Sequence, residues 1–129
     1  MDIDLPEVKK EVEAVFALYE TALVTNDVAA LEALFRDDAR TLRYGMGENL
    51  YGMHAIREFR RGRSPVGLAR KLDRTIITTY GRDFATANTL FYRDSASGKV
   101  GRQSQTWVRF DEGWRIVAAH VSVIDTPQR

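Results

Sequence analysis

From Glu7 to Thr25 the apolar residues Val8, Val12, Val15, Phe16, Tyr19, Ala22 and Leu23 recur at three- and four-residue steps. That spacing predicts an amphipathic helix with a single inward stripe. Pro6 suits its first turn, where a missing N–H costs nothing. Asn26-Asp27 then interrupts the pattern, and Asp27 is a good N-cap for a second, shorter helix, Val28 to Phe35, with Leu31 and Leu34 facing inward. Asp37-Asp38 ends it and leads into a short strand around Arg40 to Tyr44. Gly45, Gly47 and Gly52 punctuate a loop, and a third helix is predicted from Met53 to Gly62.

Past Pro65 and Gly67 the period changes. Lys71 to Tyr80, rich in Thr and Ile, reads as a strand closed by the turn Gly81-Arg82-Asp83. A second strand runs from Phe84 to Arg93, followed by the polar loop Asp94 to Gly98. A third covers Val100 to Phe110, and Asp111-Glu112-Gly113 turns the chain into a fourth, Trp114 to Ile124. Helices gather in the first half and long strands in the second, the order of an α+β domain. Four long strands and three helices imply a curved antiparallel sheet wrapped around the N-terminal helices. Such a cone leaves a pocket between the sheet and the first helix. The whole chain, 1–129, reads as a single domain, since 129 residues bury one core without needing a second.

Composition narrows the function classes. Nineteen basic residues against eighteen acidic ones leave a net charge of +1, which excludes bulk attraction to nucleic acid. There is no cysteine, so disulfides, thiol nucleophiles and thiolate metal sites are all excluded. The two histidines, His54 and His120, fall short of the three or four ligands that zinc requires, and no metal or other cofactor is expected. The N-terminus lacks the apolar core of a signal peptide and no run approaches eighteen apolar residues, so a cytoplasmic protein without a membrane span is expected.

A few polar residues fall where a pocket is expected. Tyr19 lies on the inward stripe of the first helix, either as a core tyrosine or as a phenol facing the cavity. Arg43 stands in the short strand Arg40-Thr41-Leu42-Arg43-Tyr44. A guanidinium does not titrate near neutrality, so Arg43 is no base, but its planar fork suits a carboxylate. The alternative is an edge-strand arginine in a surface ion pair. His120 alternates with Trp114, Ile116, Ala118 and Ser122, which puts all five on one face of the last strand. It is either a satisfied core group or a donor to a bound carboxylate. In Gln103-Ser104-Gln105-Thr106, one alternate set faces inward, and a single β-bulge reverses which one, so Ser104 and Gln105 are both candidates for ligand contact. Arg57, Arg60, Arg61 and Arg63 read as a solvated basic face partly offset by Glu58, with Arg57 the member able to reach the pocket mouth. Ser64, Ser104 and Ser122 show no nucleophile-elbow pattern, so a catalytic triad is not indicated.

This order of elements resembles the nuclear-transport-factor-2-like superfamily, which includes ketosteroid isomerases and SnoaL-like cyclases. The residues that carry the resemblance are Leu34-Phe35-Arg36-Asp37-Asp38-Ala39, Gly52-x-x-Ala55-Ile56-x-x-Phe59 and Gly113-Trp114-Arg115-Ile116-x-x-x-His120-x-Ser122. Three longer segments, Leu5 to Val8, Thr41 to Gly52 and Gly101 to Phe110, with Ala118 to Ser122, are similar to an AtzH-like and HpxZ-like subfamily of small bacterial proteins. Its members accompany amidases in oxalurate and cyanuric acid degradation.

The resemblance implies a site and a chemistry. The cyanuric acid member is a hydrolase of dicarboxyurea, and its active site pairs a first-helix tyrosine with the arginine of a Leu-Arg-Tyr-Gly motif. These correspond here to Tyr19 and Arg43. Aligned through Asp37-Asp38-Ala39, Arg43 also falls where a ketosteroid isomerase has its catalytic aspartate, so a proton-abstracting base is replaced by an anion anchor. The expected activity is cleavage of a carboxylated urea or ureide, by hydrolysis or by loss of carbon dioxide, in nitrogen or purine catabolism. The alternatives are an accessory subunit of a neighbouring amidase, or an isomerase or cyclase of a hydrophobic molecule. The expected partners are a small anionic substrate and further copies of the chain, as a homodimer or tetramer formed through the sheet.

Overall fold

In the computed structural model, which describes residues 1–64 and 66–127, the amphipathic stripe becomes helix α1, Pro6–Val24. Its buried face is Val8, Val12, Phe16, Tyr19, Ala22 and Leu23. Asn26 adopts a left-handed φ of 51° just past the helix end. Its N–H bonds to the Leu23 carbonyl and that of Asp27 to the Ala22 carbonyl, the paired closure of a Schellman motif. Asp27 then caps helix α2, Val28–Leu34, its carboxylate accepting from the Ala30 N–H at 3.1 Å. One residue thus closes a helix and starts the next.

Strand β1, Leu42–Tyr44, is followed by β2, Asn49–Tyr51, and by helix α3, Met53–Arg61. The second half supplies β3, Lys71–Tyr80; β4, Phe84–Tyr92; β5, Lys99–Phe110; and β6, Gly113–Asp125. Together they form one six-stranded sheet in the order β2-β1-β6-β5-β4-β3. Pro65, the break placed before the strands, lies outside the described residues.

The sheet differs from the sequence expectation in two respects. Asn49–Tyr51, expected as loop, pairs antiparallel with β1. Three residues with one apolar position are too short to display a period. The short strand β1 itself pairs parallel with β6, Arg43 opposite Ala119, so the sheet is not wholly antiparallel.

The helices cover the concave side of the sheet. Phe16, Leu31, Phe35, Ile56, Trp107, Trp114 and Ile116 pack there into one core. The Trp114 indole N–H donates to the Glu11 carboxylate at 2.8 Å, and the N–H of Arg36 donates to the Ile116 carbonyl, pinning α1 and the end of α2 to β6. Among the described residues no helix is long and apolar enough to cross a membrane.

Candidate active site

Where the core residues end, the concave face stays open as a cavity of about 410 Å³. Its walls come from the second half of α1 (Tyr19, Leu23), the β1–β2 hairpin (Arg43, Glu48) and the end of α3 and beyond (Phe59, Arg63). Arg70, the β4–β5 connection and the adjoining ends of β5 and β6 complete them. Tyr19 and Arg43 therefore line one cavity.

Tyr19 is 2 % exposed, and its hydroxyl accepts a long hydrogen bond, 3.5 Å, from an Nη of Arg60. Burial pushes the phenol up, as it does any group whose ionised form loses water. The guanidinium groups of Arg60, Arg43 and Arg70, with the Arg60 hydrogen bond, outweigh that and hold it below its ordinary value of 10.0.

Arg43, 5 % exposed, reaches inward from the middle of β1 and lies over the Phe59 ring at 5.3 Å. Its Nη1 donates to the Glu48 carboxylate at 2.9 Å, while its Nε has no protein partner. Glu48 is held on the same hairpin, its other oxygen accepting from the Gly47 N–H. The ion pair depends on Gly45. A Cβ there would fall 1.7 Å from the Glu48 carboxylate and 2.8 Å from Arg43.

Two arginines that sequence reasoning missed complete the surroundings of Tyr19. Arg60 was assigned to a solvated basic face, yet it is 1 % exposed and sits over the Phe35 ring at 5.1 Å. The signal was present: Met53, Ile56 and Arg60 fall at i, i+3 and i+7, the inward stripe of α3, with a cation in an apolar slot. Arg70 grips Glu20 with its Nε and Nη2, at 2.9 and 2.6 Å, and Nη2 also donates to Gln103 at 3.0 Å. No period marks it, because it enters the site from irregular chain.

Arg63 likewise leaves the expected solvated face and lines the cavity. Burial, followed by repulsion from Arg60 and Arg43, lowers its pKa to about 10. Burial and then Arg70 lower that of Arg93, the residue directly after β4. Five of the described lining residues are basic (Arg43, Arg63, Arg70, Arg93 and Lys99) against one carboxylate, Glu48. A chain of net charge +1 therefore concentrates positive charge in its pocket.

The remaining candidates lie elsewhere. On β5 the inward set is Gln103, Gln105 and Trp107, so Ser104 points outward, where its hydroxyl donates to Asn88 at 2.6 Å. Gln105 is inward but sits in the core, its carbonyl accepting from the Trp107 indole at 3.1 Å, away from the cavity wall.

His120 does not share a face with Trp114 and Ile116. Thr106 pairs with Ala118 and Trp107 with Ile116, so Val117 is an extra residue, a β-bulge. Beyond it the inward positions become Ala119 and Val121. His120 is turned out to solvent, edge-on to Tyr44 at 6.0 Å. Arg57 is held on the outer surface by Asp37 at 3.2 Å and Glu32 at 3.7 Å, not at the pocket mouth. Among the described residues no group of three or more His, Asp or Glu side chains is arranged to hold a metal ion.

No curated protein matches the chain in sequence. Among solved structures, it is similar to a protein of unknown function of the DUF3225 family from Pectobacterium atrosepticum, at 54% identity and TM-score 0.94, with 96% of each chain covered. It is also similar to a cystatin-like fold protein from Burkholderia xenovorans, at 47% identity and TM-score 0.95, covering 98% of this chain and 99% of that one. A nuclear transport factor 2-like superfamily protein from Salmonella enterica shares the fold at 24% identity and TM-score 0.76, over 95% of this chain and 94% of the other. The AtzH-like family model matches residues 1–127, and the chain belongs to the AtzH-like family.

Proposed function

We propose that the protein is a cofactor-independent enzyme that cleaves the C–N bond of an N-carboxylated urea or ureide, of the dicarboxyurea kind, releasing the terminal carboxylate. The observation that carries this reading is the buried phenol of Tyr19, made more acidic by three arginines, in the same cavity as Arg43. Membership of the AtzH-like family supports it, through the likeness to a dicarboxyurea hydrolase.

Arg43 receives the carboxylate of the scissile group on its Nε edge, using the free Nε and the adjacent Nη2, while Glu48 holds Nη1 on the other side. A charge-assisted pair of this kind strengthens where water is excluded. Tyr19 donates its proton to the nitrogen of the scissile bond. The bond breaks, its electron pair stays on nitrogen with the new proton, and the carboxyl carbon leaves as carbon dioxide, or as bicarbonate if water adds. Arg60 stabilises the tyrosinate until it takes back a proton from water. Little push is required, because an N-carboxylate protonated on nitrogen is already labile, so positioning and one acid suffice.

The test is release of carbon dioxide or bicarbonate from dicarboxyurea by the purified protein, with oxalurate assayed in parallel. Tyr19→Phe and Arg43→Ala are each expected to lower turnover by about 100-fold or more. No turnover of dicarboxyurea, or full activity in both variants, overturns the proposal.

A further inference from the structure

Gln103 lines the cavity from the inward face of β5 and is 2 % exposed. Its neighbours fix which way its amide lies. Glu20, one position beyond Tyr19 on α1, offers a carboxylate that accepts hydrogen bonds, and a guanidinium such as that of Arg70 only donates them. The Arg70 side chain, 1 % exposed, is locked by its two bonds to Glu20, and its Nη2 reaches on to Gln103. The end of the amide that meets Arg70 is therefore the carbonyl oxygen, at 3.0 Å. The amide nitrogen is left on the other branch, buried, with its N–H donors lacking a protein partner among the described residues.

A buried amide donor without an acceptor is unfavourable, and packing does not require one here. Val121, opposite Gln103 on β6, lines the same cavity with an apolar side chain. An oriented donor left unpaired at a cavity wall suits an acceptor that arrives with the ligand. That acceptor is a neutral oxygen. The charge of Arg70 is already matched by Glu20, so this part of the wall presents a neutral donor where Arg43 presents a charged one.

We propose that Gln103 is a further catalytic residue, whose amide nitrogen donates to the carbonyl oxygen next to the scissile nitrogen, with Glu20 and Arg70 as the positioning residues that turn it there. This rests on the reaction proposed above. When the C–N bond breaks, the electron pair released onto nitrogen conjugates with the adjoining carbonyl, and negative charge grows on its oxygen. A donor already aimed at that oxygen meets the charge as it develops, without reorganisation. A ligand with a carboxylate but no carbonyl leaves the donor unpaired.

Matched acids that cannot be cleaved test the contact apart from turnover. Levulinate and isocaproate have the same size and the same carboxylate, and only levulinate carries a carbonyl. By titration calorimetry, levulinate is expected to bind about tenfold more tightly, although isocaproate is the more apolar. Gln103→Met and Gln103→Leu should erase that preference by weakening levulinate alone, whereas a structural role would weaken both acids alike. Gln105→Met, in the core away from the cavity, should leave the preference intact. On dicarboxyurea, Gln103→Met is expected to lower kcat by about 100-fold with a much smaller change in KM. Equal affinity for the two acids, no binding of either by the folded protein, a preference that survives Gln103→Met, or an unchanged kcat overturns the assignment. Turnover of dicarboxyurea without the carbonyl preference sinks the role of Gln103 and leaves the reaction standing. The preference without turnover keeps Gln103 as a binding residue and sinks the reaction.

Discussion

Tyr19 is subject to opposed influences, and the arginines prevail. The folded chain holds its phenol more acidic than the unfolded chain does. Ionised Tyr19 therefore favours the folded state above the ordinary phenol range, and that contribution is lost as pH falls through the lowered pKa. For catalysis the sign is reversed, because a proton donor must be protonated. Activity on dicarboxyurea is expected to fall as pH rises through the lowered value, with the descending limb below pH 10. Tyr51 is pushed the other way by its hydrogen bond to Tyr44, so tyrosinate absorbance should detect Tyr19 ionising before Tyr51. The phase should vanish in Tyr19→Phe; if it persists, another tyrosine is responsible. Tyr19 was legible as inward-facing from the stripe of α1, whereas Arg43, open on sequence alone between an anion anchor and a surface ion pair, was singled out by the family resemblance. Arg60 was misassigned because charge was allowed to outweigh its place on the apolar stripe of α3.

The β1–β2 hairpin is the element on which the anion anchor depends. Gly45 leaves room for Glu48 to fold back onto Arg43, and alanine there would meet both side chains. Gly45→Ala is expected to raise KM for the anionic substrate by about tenfold while the protein still folds, the cost of displacing one charge-assisted bond. An unchanged KM would show that the Glu48 contact does not position Arg43. Asp27 offers a contrast far from the cavity. Removing its cap with Asp27→Ala should cost about 1 kcal/mol of stability, seen as a lower Tm, with kcat/KM unaffected. Elements of this kind were readable from sequence, since a cap, a stripe and a turn are local. The bulge at Val117 was not readable. One extra residue, set by how β6 aligns with β5, moved His120 from the cavity to solvent.

At the scale of the whole molecule, a chain of net charge +1 gathers five cations against one carboxylate around a single cavity, while Arg57, Arg61 and Arg109 are held in ion pairs outside it. That segregation focuses a positive field at the pocket mouth, and salt weakens such a field over about 8 Å at physiological ionic strength. Raising salt from about 0.05 M to about 0.5 M is expected to lower kcat/KM for a dianionic substrate several-fold, with kcat nearly constant. A flat kcat/KM would mean that the cavity charge plays no part in capture. The α+β order, the helices, the four long strands and the likeness to the AtzH-like family all followed from sequence, because periods, caps and turns act within a few residues. Tertiary structure alone decided the parallel pairing of β1 with β6, the face that Gln103 and Gln105 share, and the gathering of Arg43, Arg60, Arg63, Arg70 and Arg93 around Tyr19. Those outcomes depend on strand register and on residues far apart in the chain meeting across a cavity, and no local pattern encodes either.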